Sequence, residues 1–510
     1  MNGHEYHVAD SRQHTRQAAW VVAGLFLVAV VLRFWHLGDW NFQATEMFTL
    51  RDSERPQFQN PRPLGYLLNY YLVRPFMPLD EFGLRLLPAL FGVLAVPALY
   101  LAGRPLVGRR AALFAALLLT FSPLMILYSQ LSRYWSLVFL LCAISPYALY
   151  LGVRDRNVRA QVIGVATAIL AVLAHPVSLL LVGGPAIWLL FTLLRPSRLR
   201  QFWTLQSFRW GVLAAAILAV VVAVRFVPIL QAWVSEHDKN PGSGQFLLRT
   251  PPPPGLKQLY YVLAYAESLT VPVSLGALVG AYILWRYRDR SLAIFLASLA
   301  VFPVVFLALL TFRTPVSQYY LLPTTPAILL AAGVFLDQIA ATDWKVRPQW
   351  LILATIVTIF VAAGAPTILS DHRDGRRYDF RGASRWLDRR ISPGDVVFSD
   401  QYMVLAHYMP TTDVRRLRQL TPLNQTAREL EQKGGKGVLW IVAPAPSHPF
   451  RTNLKRGGLI EWIYDHCQLR HTQGVGRVDL RQHYLQIYRC PAAPPRGLQV
   501  RPRSLPRPSR

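Results

Sequence analysis

The chain has 510 residues, of which 53% are hydrophobic and 16% charged, against about a quarter charged in an ordinary soluble domain. Its formal net charge is +27, from 54 Lys and Arg against 27 Asp and Glu. In a soluble protein that excess would point to nucleic acid. Here the apolar residues gather into runs close to the roughly 20 residues that cross a bilayer, which excludes a nucleic-acid partner and reads as a polytopic α-helical membrane protein.

In chain order, residues 1–18 are polar, with Arg12 and Arg16, and the first apolar run follows without a small-residue cleavage site. That pattern predicts an uncleaved signal anchor with a cytoplasmic N-terminus. Spans are predicted at 19–36, 82–102, 111–128, 135–153, 160–175, 177–194, 211–231, 265–285, 291–312, 319–340 and 349–368. The long apolar stretch from Ala160 to Leu194 is divided only at His175-Pro176, where proline favours a turn or kink. Arginines crowd the loops at Arg104, Arg109 and Arg110, at Arg154, Arg156 and Arg159, at Arg195, Arg198, Arg200 and Arg209, and at Arg286, Arg288 and Arg290. The positive-inside rule makes these loops cytoplasmic, and about 11 spans then put the C-terminus outside the cell (inner or plasma) membrane.

Two outer segments are too long to be plain connectors. Loop 38–80 reads as functional, and loop 232–264, with Asn240-Pro241-Gly242 and the polyproline run Pro251 to Pro254, as a lid over a lipid-facing groove. The membrane part therefore covers 19–370, and 371–490 has the pattern of a small extracytoplasmic α/β domain. Helices are expected at 380–390, 424–432 and 454–464, and strands at 395–399, 437–442, 468–471, 476–480 and 484–489. The tail 491–510 is rich in Pro and Arg and reads as disordered. Cys467 and Cys490 both flank predicted outer strands, which leaves a disulfide and two buried thiols equally open.

Charges at span ends are where membrane chemistry is expected, since isolated charges inside the bilayer cost several kcal/mol. Four such clusters fall on the predicted outer side: Thr45-Glu46 with Arg51, Asp52, Glu54, Arg55 and Arg62 downstream; Tyr128 to Tyr134, including Arg133; His175; and Arg313 with Gln318, Tyr319 and Tyr320. Arginine forks match phosphate oxygens, and a nearby carboxylate can take the proton of an attacking hydroxyl. Blander readings stand beside these. Arg133 and Arg313 can be snorkelling anchors, Tyr134, Trp135, Tyr319 and Tyr320 an aromatic belt, His175 a helix-end residue, and Asp371 to Asp374 a solvated linker rather than a metal site. Glu46 has the least comfortable structural reading, as an acid just past a span amid Phe42, Met47 and Phe48.

The stretch Phe82 to Leu140 closely resembles the bacterial dolichyl-phosphate-mannose-protein mannosyltransferase-like and aminoarabinose-transferase-like members of the GT-C glycosyltransferases. It carries Arg85-Leu86-Leu87-Pro88, the Gly103 to Arg110 loop, Ser122-Pro123, and Tyr128-Ser129-Gln130 with Arg133-Tyr134. Gln318 to Leu330 and the segment around Thr45-Glu46 are similar to further family segments, and the similarity spans about 19–370. The resemblance implies a GT-C-like fold and transfer of a sugar from a polyprenyl-phosphate donor to an extracytoplasmic acceptor, which can be lipid, polysaccharide (glycan) or protein. Thr45 stands where the family has its first-loop Asp, and Leu131 where a Glu is common, leaving Glu46 as the base with Asp52 or Glu54 as substitutes. Pro61-Arg62-Pro63-Leu64 approximates the family's basic first-loop segment, so Arg62, Arg133 and Arg313 are the expected phosphate contacts, with Thr45, Tyr134, His175, Tyr319 and Tyr320 around the substrate. No metal motif has convincing spacing, so no obligatory cofactor is expected, with a divalent cation left open. The rival readings are a carrier-binding paralogue without catalysis and a lipid or sugar transporter.

Overall fold

The computed structural model describes residues 3–56, 60, 62–193, 257–310, 318–343, 349–374, 378–432, 437–444, 459–474 and 484–491. The predicted span 211–231, Arg313, the polyproline run, the strand 476–480 and the tail from 492 lie outside the described residues. The chain forms two compact units, one of 1–39 with 48–372 and one of Trp40–Met47 with 373–510. The second therefore includes eight residues of the first outer segment as well as the C-terminal domain.

The first unit is helical. It comprises α1 (Gly3–Phe34), α2 (Ala44–Glu54, whose first residues belong to the other unit), α3 (Pro63–Leu68), α4 (Glu81–Val107), α5 (Arg109–Thr120), α6 (Pro123–Ser129), α7 (Trp135–Cys142), α8 (Ser145–Arg154), α9 (Val158–Ala174) and α10 (Leu180–Leu193), followed by α11 (Lys257–Leu269), α12 (Val271–Ile283), α13 (Arg290–Leu310), α14 (Thr325–Ala341), α15 (Gln349–Ala362) and α16 (Ala365–Asp374). Among the described residues six helical stretches are long and apolar enough to cross a membrane, or up to seven with one bent pair, and Val158–Ala174 and Pro176–Phe191 are shorter apolar helices. This is a multi-pass membrane protein.

Several predicted spans are not continuous helices, three of them with a distinct local cause. The span 111–128 bends by 59° between α5 and α6, because Ser122 caps a new helix by accepting the Met125 N–H and Pro123 occupies its first turn. The span 265–285 is broken at Thr270, whose φ of 77° no helix accommodates. Gln318–Thr324 is a tighter 3-10 segment leading into α14. Asp371 to Asp374, expected as a solvated linker, continues α16, and Asp371 is buried.

Close helix crossings rest on small side chains, as expected where lipid removes the hydrophobic drive between helices. A Cβ on Gly333 of α14 would stand 2.2 Å from the Ala111 carbonyl of α5. At one end of this contact Asp337 accepts from Arg110 Nε (2.9 Å) and from Arg288 Nη2 (2.7 Å), tying α14 to α5 and to the π turn after α12. Asp337→Ala should lower the thermal unfolding midpoint, at a cost of about 1–3 kcal/mol for the lost charge-assisted bonds. An unchanged midpoint would show that the clamp carries no stability.

In the second unit a five-stranded sheet has the order β2-β1-β3-β5-β4, with β1 (Val396–Ser399), β2 (Asp413–Arg416), β3 (Leu439–Pro444), β4 (Gln468–Gln473) and β5 (Leu485–Cys490). The first three strands are parallel, Val396 standing opposite both Asp413 and Leu439, and β5 runs antiparallel between β3 and β4. Helices α17 (Phe380–Asp388), α18 (Tyr402–Tyr408), α19 (Leu420–Gln432) and α20 (Leu459–His466) complete the domain. The central strands β1 and β3 are buried at every position, which is why they read as unbroken apolar runs. Cys467 and Cys490 are joined in a disulfide.

Asp400 follows β1 and accepts the Gln401 N–H, and burial pushes its carboxyl up to about 6 from the usual 3.8. The folded state then favours the protonated acid, so this contribution to stability is full below about pH 4 and is lost as pH rises to about 6. The unfolding midpoint should therefore fall across that window, and Asp400→Asn should flatten the fall. The same slope in the variant would overturn the assignment.

Candidate active site

In the first unit the segment between α6 and α7 is shaped by long polar side chains that satisfy helix-end carbonyls. Gln130 Nε2 donates to the Trp35 carbonyl (2.9 Å) at the end of α1. Arg33 Nη2 donates to the Leu119 carbonyl (3.1 Å), and Arg85 Nη1 to that of Leu37 (3.1 Å). Both arginines are fully buried. The last carbonyls of α5 have no partner within the helix, so Arg33 supplies one and its positive charge suits that end of the dipole, while Arg85 and Gln130 hold the turn that follows α1. They fix where the turn bearing Arg133 leaves the bundle.

Arg133 Nη1 donates to Thr49 Oγ1 (3.3 Å), and its guanidinium carbon lies 5.5 Å from the centre of the Tyr134 ring. Tyr134 meets Tyr66 edge-to-face at 4.9 Å. Gly65 leaves room for this ring, since a Cβ there would stand 1.9 Å from Tyr134 Cδ1. The Pro63-Leu64-Gly65 sequence thus serves packing as well as helix initiation. A small recess opens here, with Thr49, Asn69, Ser132 and Arg133 on its polar side and Leu87, Pro88, Phe91 and Leu137 on its apolar side.

Trp135 extends the site as an aromatic cluster. Its ring centre is 4.5 Å from His175, 4.9 Å from Tyr319 and 5.8 Å from Tyr320. Tyr134 and Trp135 are buried rather than lipid-facing, so they do not form a simple aromatic belt. Tyr66, Tyr134, Tyr319 and Tyr320 lie within electrostatic reach of Arg133, and Arg62 and Arg133 both within reach of His175. The structure thus gathers Arg62, Arg133, Tyr134, His175, Tyr319 and Tyr320 in one unit.

Thr45 and Glu46 belong to the second unit. Glu46 is fully buried, and its Oε2 accepts the Gln43 N–H (2.9 Å), as the acidic member of a capping box does at the start of a helix. In the same unit Phe42 N–H donates to Tyr408 Oη (2.9 Å). The two substitute acids stand differently: Asp52 is engaged by Arg51 and by Asn60 Nδ2, while Glu54 is exposed at the end of α2. Among the described residues no three His, Cys, Asp or Glu side chains gather as a metal site.

Residues 63–227 match the family model of dolichyl-phosphate-mannose-protein mannosyltransferase. No curated protein sequence matches the chain. The fold is similar to the crystal structure of ArnT from Cupriavidus metallidurans in the apo state, at 15% identity over 94% of this chain and 98% of that one, with a TM-score of 0.56. ArnT bound to undecaprenyl phosphate gives the same TM-score at 16% identity, covering 92% and 98%. The archaeal oligosaccharyltransferase AglB from Archaeoglobus fulgidus, solved with an inhibitory peptide and a dolichol-phosphate, matches 84% of this chain and 70% of its own at 12% identity, with a TM-score of 0.51. The chain is a multi-pass membrane protein with a fold similar to that of ArnT, and its residues 63–227 match the family model of dolichyl-phosphate-mannose-protein mannosyltransferase.

Proposed function

We propose that the protein is a glycosyltransferase that moves a hexose or pentose from a polyprenyl-phosphate donor to a hydroxyl acceptor outside the cytoplasmic membrane. The observation that carries this reading is the grouping of Arg62 and Arg133 with a buried aromatic cluster about His175, on a fold similar to that of a protein solved with undecaprenyl phosphate. In the reaction the acceptor oxygen bonds to the anomeric carbon as the carbon–oxygen bond to phosphate breaks, with inversion. The acceptor proton passes to Glu46, and the polyprenyl phosphate leaves with the bonding electrons, its charge stabilised by the arginines. Arg62 and Arg133 hold the phosphate, joined by Arg313, while Tyr134, His175, Tyr319 and Tyr320 wall the pocket. A polyprenyl chain suits the apolar wall of Leu87, Phe91 and Leu137.

The test is turnover of a radiolabelled polyprenyl-phosphate sugar by the protein in proteoliposomes holding extracted cell-envelope acceptors. Label should move to an acceptor as free polyprenyl phosphate appears in equal amount. Binding without turnover would make the protein a carrier-binding paralogue, and label crossing the bilayer unchanged would make it a transporter.

A further inference from the structure

We propose that His175 is a neutral hydrogen-bond donor to the carrier phosphate, presenting Nε2–H into the pocket beside Arg62. This rests on the carrier-binding reading above and adds a residue and a protonation state to it. His175 follows α9, and its Nδ1 accepts the Val177 N–H (3.1 Å), capping the 3-10 turn Pro176–Leu179. A ring nitrogen that accepts a hydrogen bond carries no proton, so the proton of this neutral imidazole lies on Nε2. The ring is only 4% exposed and is held in place by Trp135 and, at 5.8 Å, by Tyr320.

Nε2 is buried and has no hydrogen-bond partner. The same holds for Arg62 Nε. Buried polar groups are nearly always paired, so two unfilled donors within electrostatic reach of one another require an account. Two donors and the guanidinium charge of Arg133 match a ligand with several acceptor oxygens and a negative charge. A phosphate ester on a lipid has both. Capping the turn with Nδ1 thus sets the tautomer, and the tautomer leaves Nε2–H as a buried donor open to a ligand.

The experiment uses the full chain in lipid nanodiscs, with undecaprenyl phosphate and undecaprenol as probes that differ only in the phosphate. His175→Phe keeps a ring but no donor, His175→Asn keeps an acceptor for the Val177 N–H while withdrawing the deep donor, and His175→Gln returns an N–H near the Nε2 position. The Phe and Asn variants should bind undecaprenyl phosphate about tenfold more weakly than wild type, the loss expected for one hydrogen bond to a charged group, with undecaprenol binding unchanged. Gln should recover most of that loss. If the Phe variant does not fold, the Asn variant decides. Wild-type affinity for undecaprenyl phosphate in the folded Phe and Asn variants would overturn the proposal, as would an equal loss for both lipids, which marks a packing role alone. Failure of the wild type itself to prefer undecaprenyl phosphate over undecaprenol would instead overturn the carrier reading and take this inference with it.

Discussion

Arg133→Ala should weaken undecaprenyl-phosphate binding about 30-fold or more, the equivalent of about 2 kcal/mol for a desolvated charged hydrogen bond. The size of the effect follows from how the side chain is held. Thr49 Oγ1 takes one Nη and the Tyr134 face lies 5.5 Å from the guanidinium carbon, so part of the rotamer freedom is already lost before binding. Arg133→Lys should recover only part of the loss, because an ammonium keeps the charge but not the planar fork that meets two phosphate oxygens at once. Binding measured at fixed salt would check both variants. Unchanged affinity in the alanine variant would return Arg133 to the role of an interfacial anchor.

The membrane character of the first unit was legible because bilayer thickness imposes a length and a composition that survive any packing arrangement. The interruptions of its spans were less so. Ser122-Pro123 carries a helix-start signal, but it sits inside an apolar run that reads equally well as one straight span, and the turn at Thr270 has no proline or glycine at the turning residue itself. In the second unit β1, β3, β4 and β5 were visible as apolar or alternating strands, while β2, Asp-Val-Arg-Arg, was not. It is an edge strand, and charge on an edge discourages pairing with another chain, which hides it from a hydrophobic pattern.

The same limit applied to the site. Arginines and tyrosines at span ends were legible as a group, but Arg33, Arg85 and Gln130 were not recognised as supports of helix ends. Their acceptors are carbonyls 87, 86, 48 and 95 residues away in sequence, and a carbonyl leaves no mark on residue type. The capping contact of Gln43 and Glu46 was in plain view, since the two stand three positions apart, and it supplies the structural reading of Glu46 that the segment otherwise lacks.

That capping contact makes Glu46→Gln the most informative substitution. A glutamine at the same place keeps an oxygen that can accept the Gln43 N–H, so α2 should start as before, and capping-box positions take Gln as readily as Glu. What the amide cannot do is take a proton from an acceptor hydroxyl. Sugar transfer should therefore fall by about 10²- to 10⁴-fold, the usual share of a general base, while the unfolding midpoint and undecaprenyl-phosphate affinity stay at the wild-type values. Single-turnover transfer, thermal unfolding and carrier binding, measured on the same preparation, separate the outcomes. Full transfer in the variant would remove Glu46 from the mechanism and move the role to Glu54, because Asp52 is already engaged by Arg51 and Asn60. A parallel fall in transfer and in unfolding midpoint would instead assign the carboxylate to the helix start alone. An intact fold with bound carrier and no transfer is the one combination that a structural role cannot produce, because a capping acid has no reason to discriminate between holding the carrier and using it.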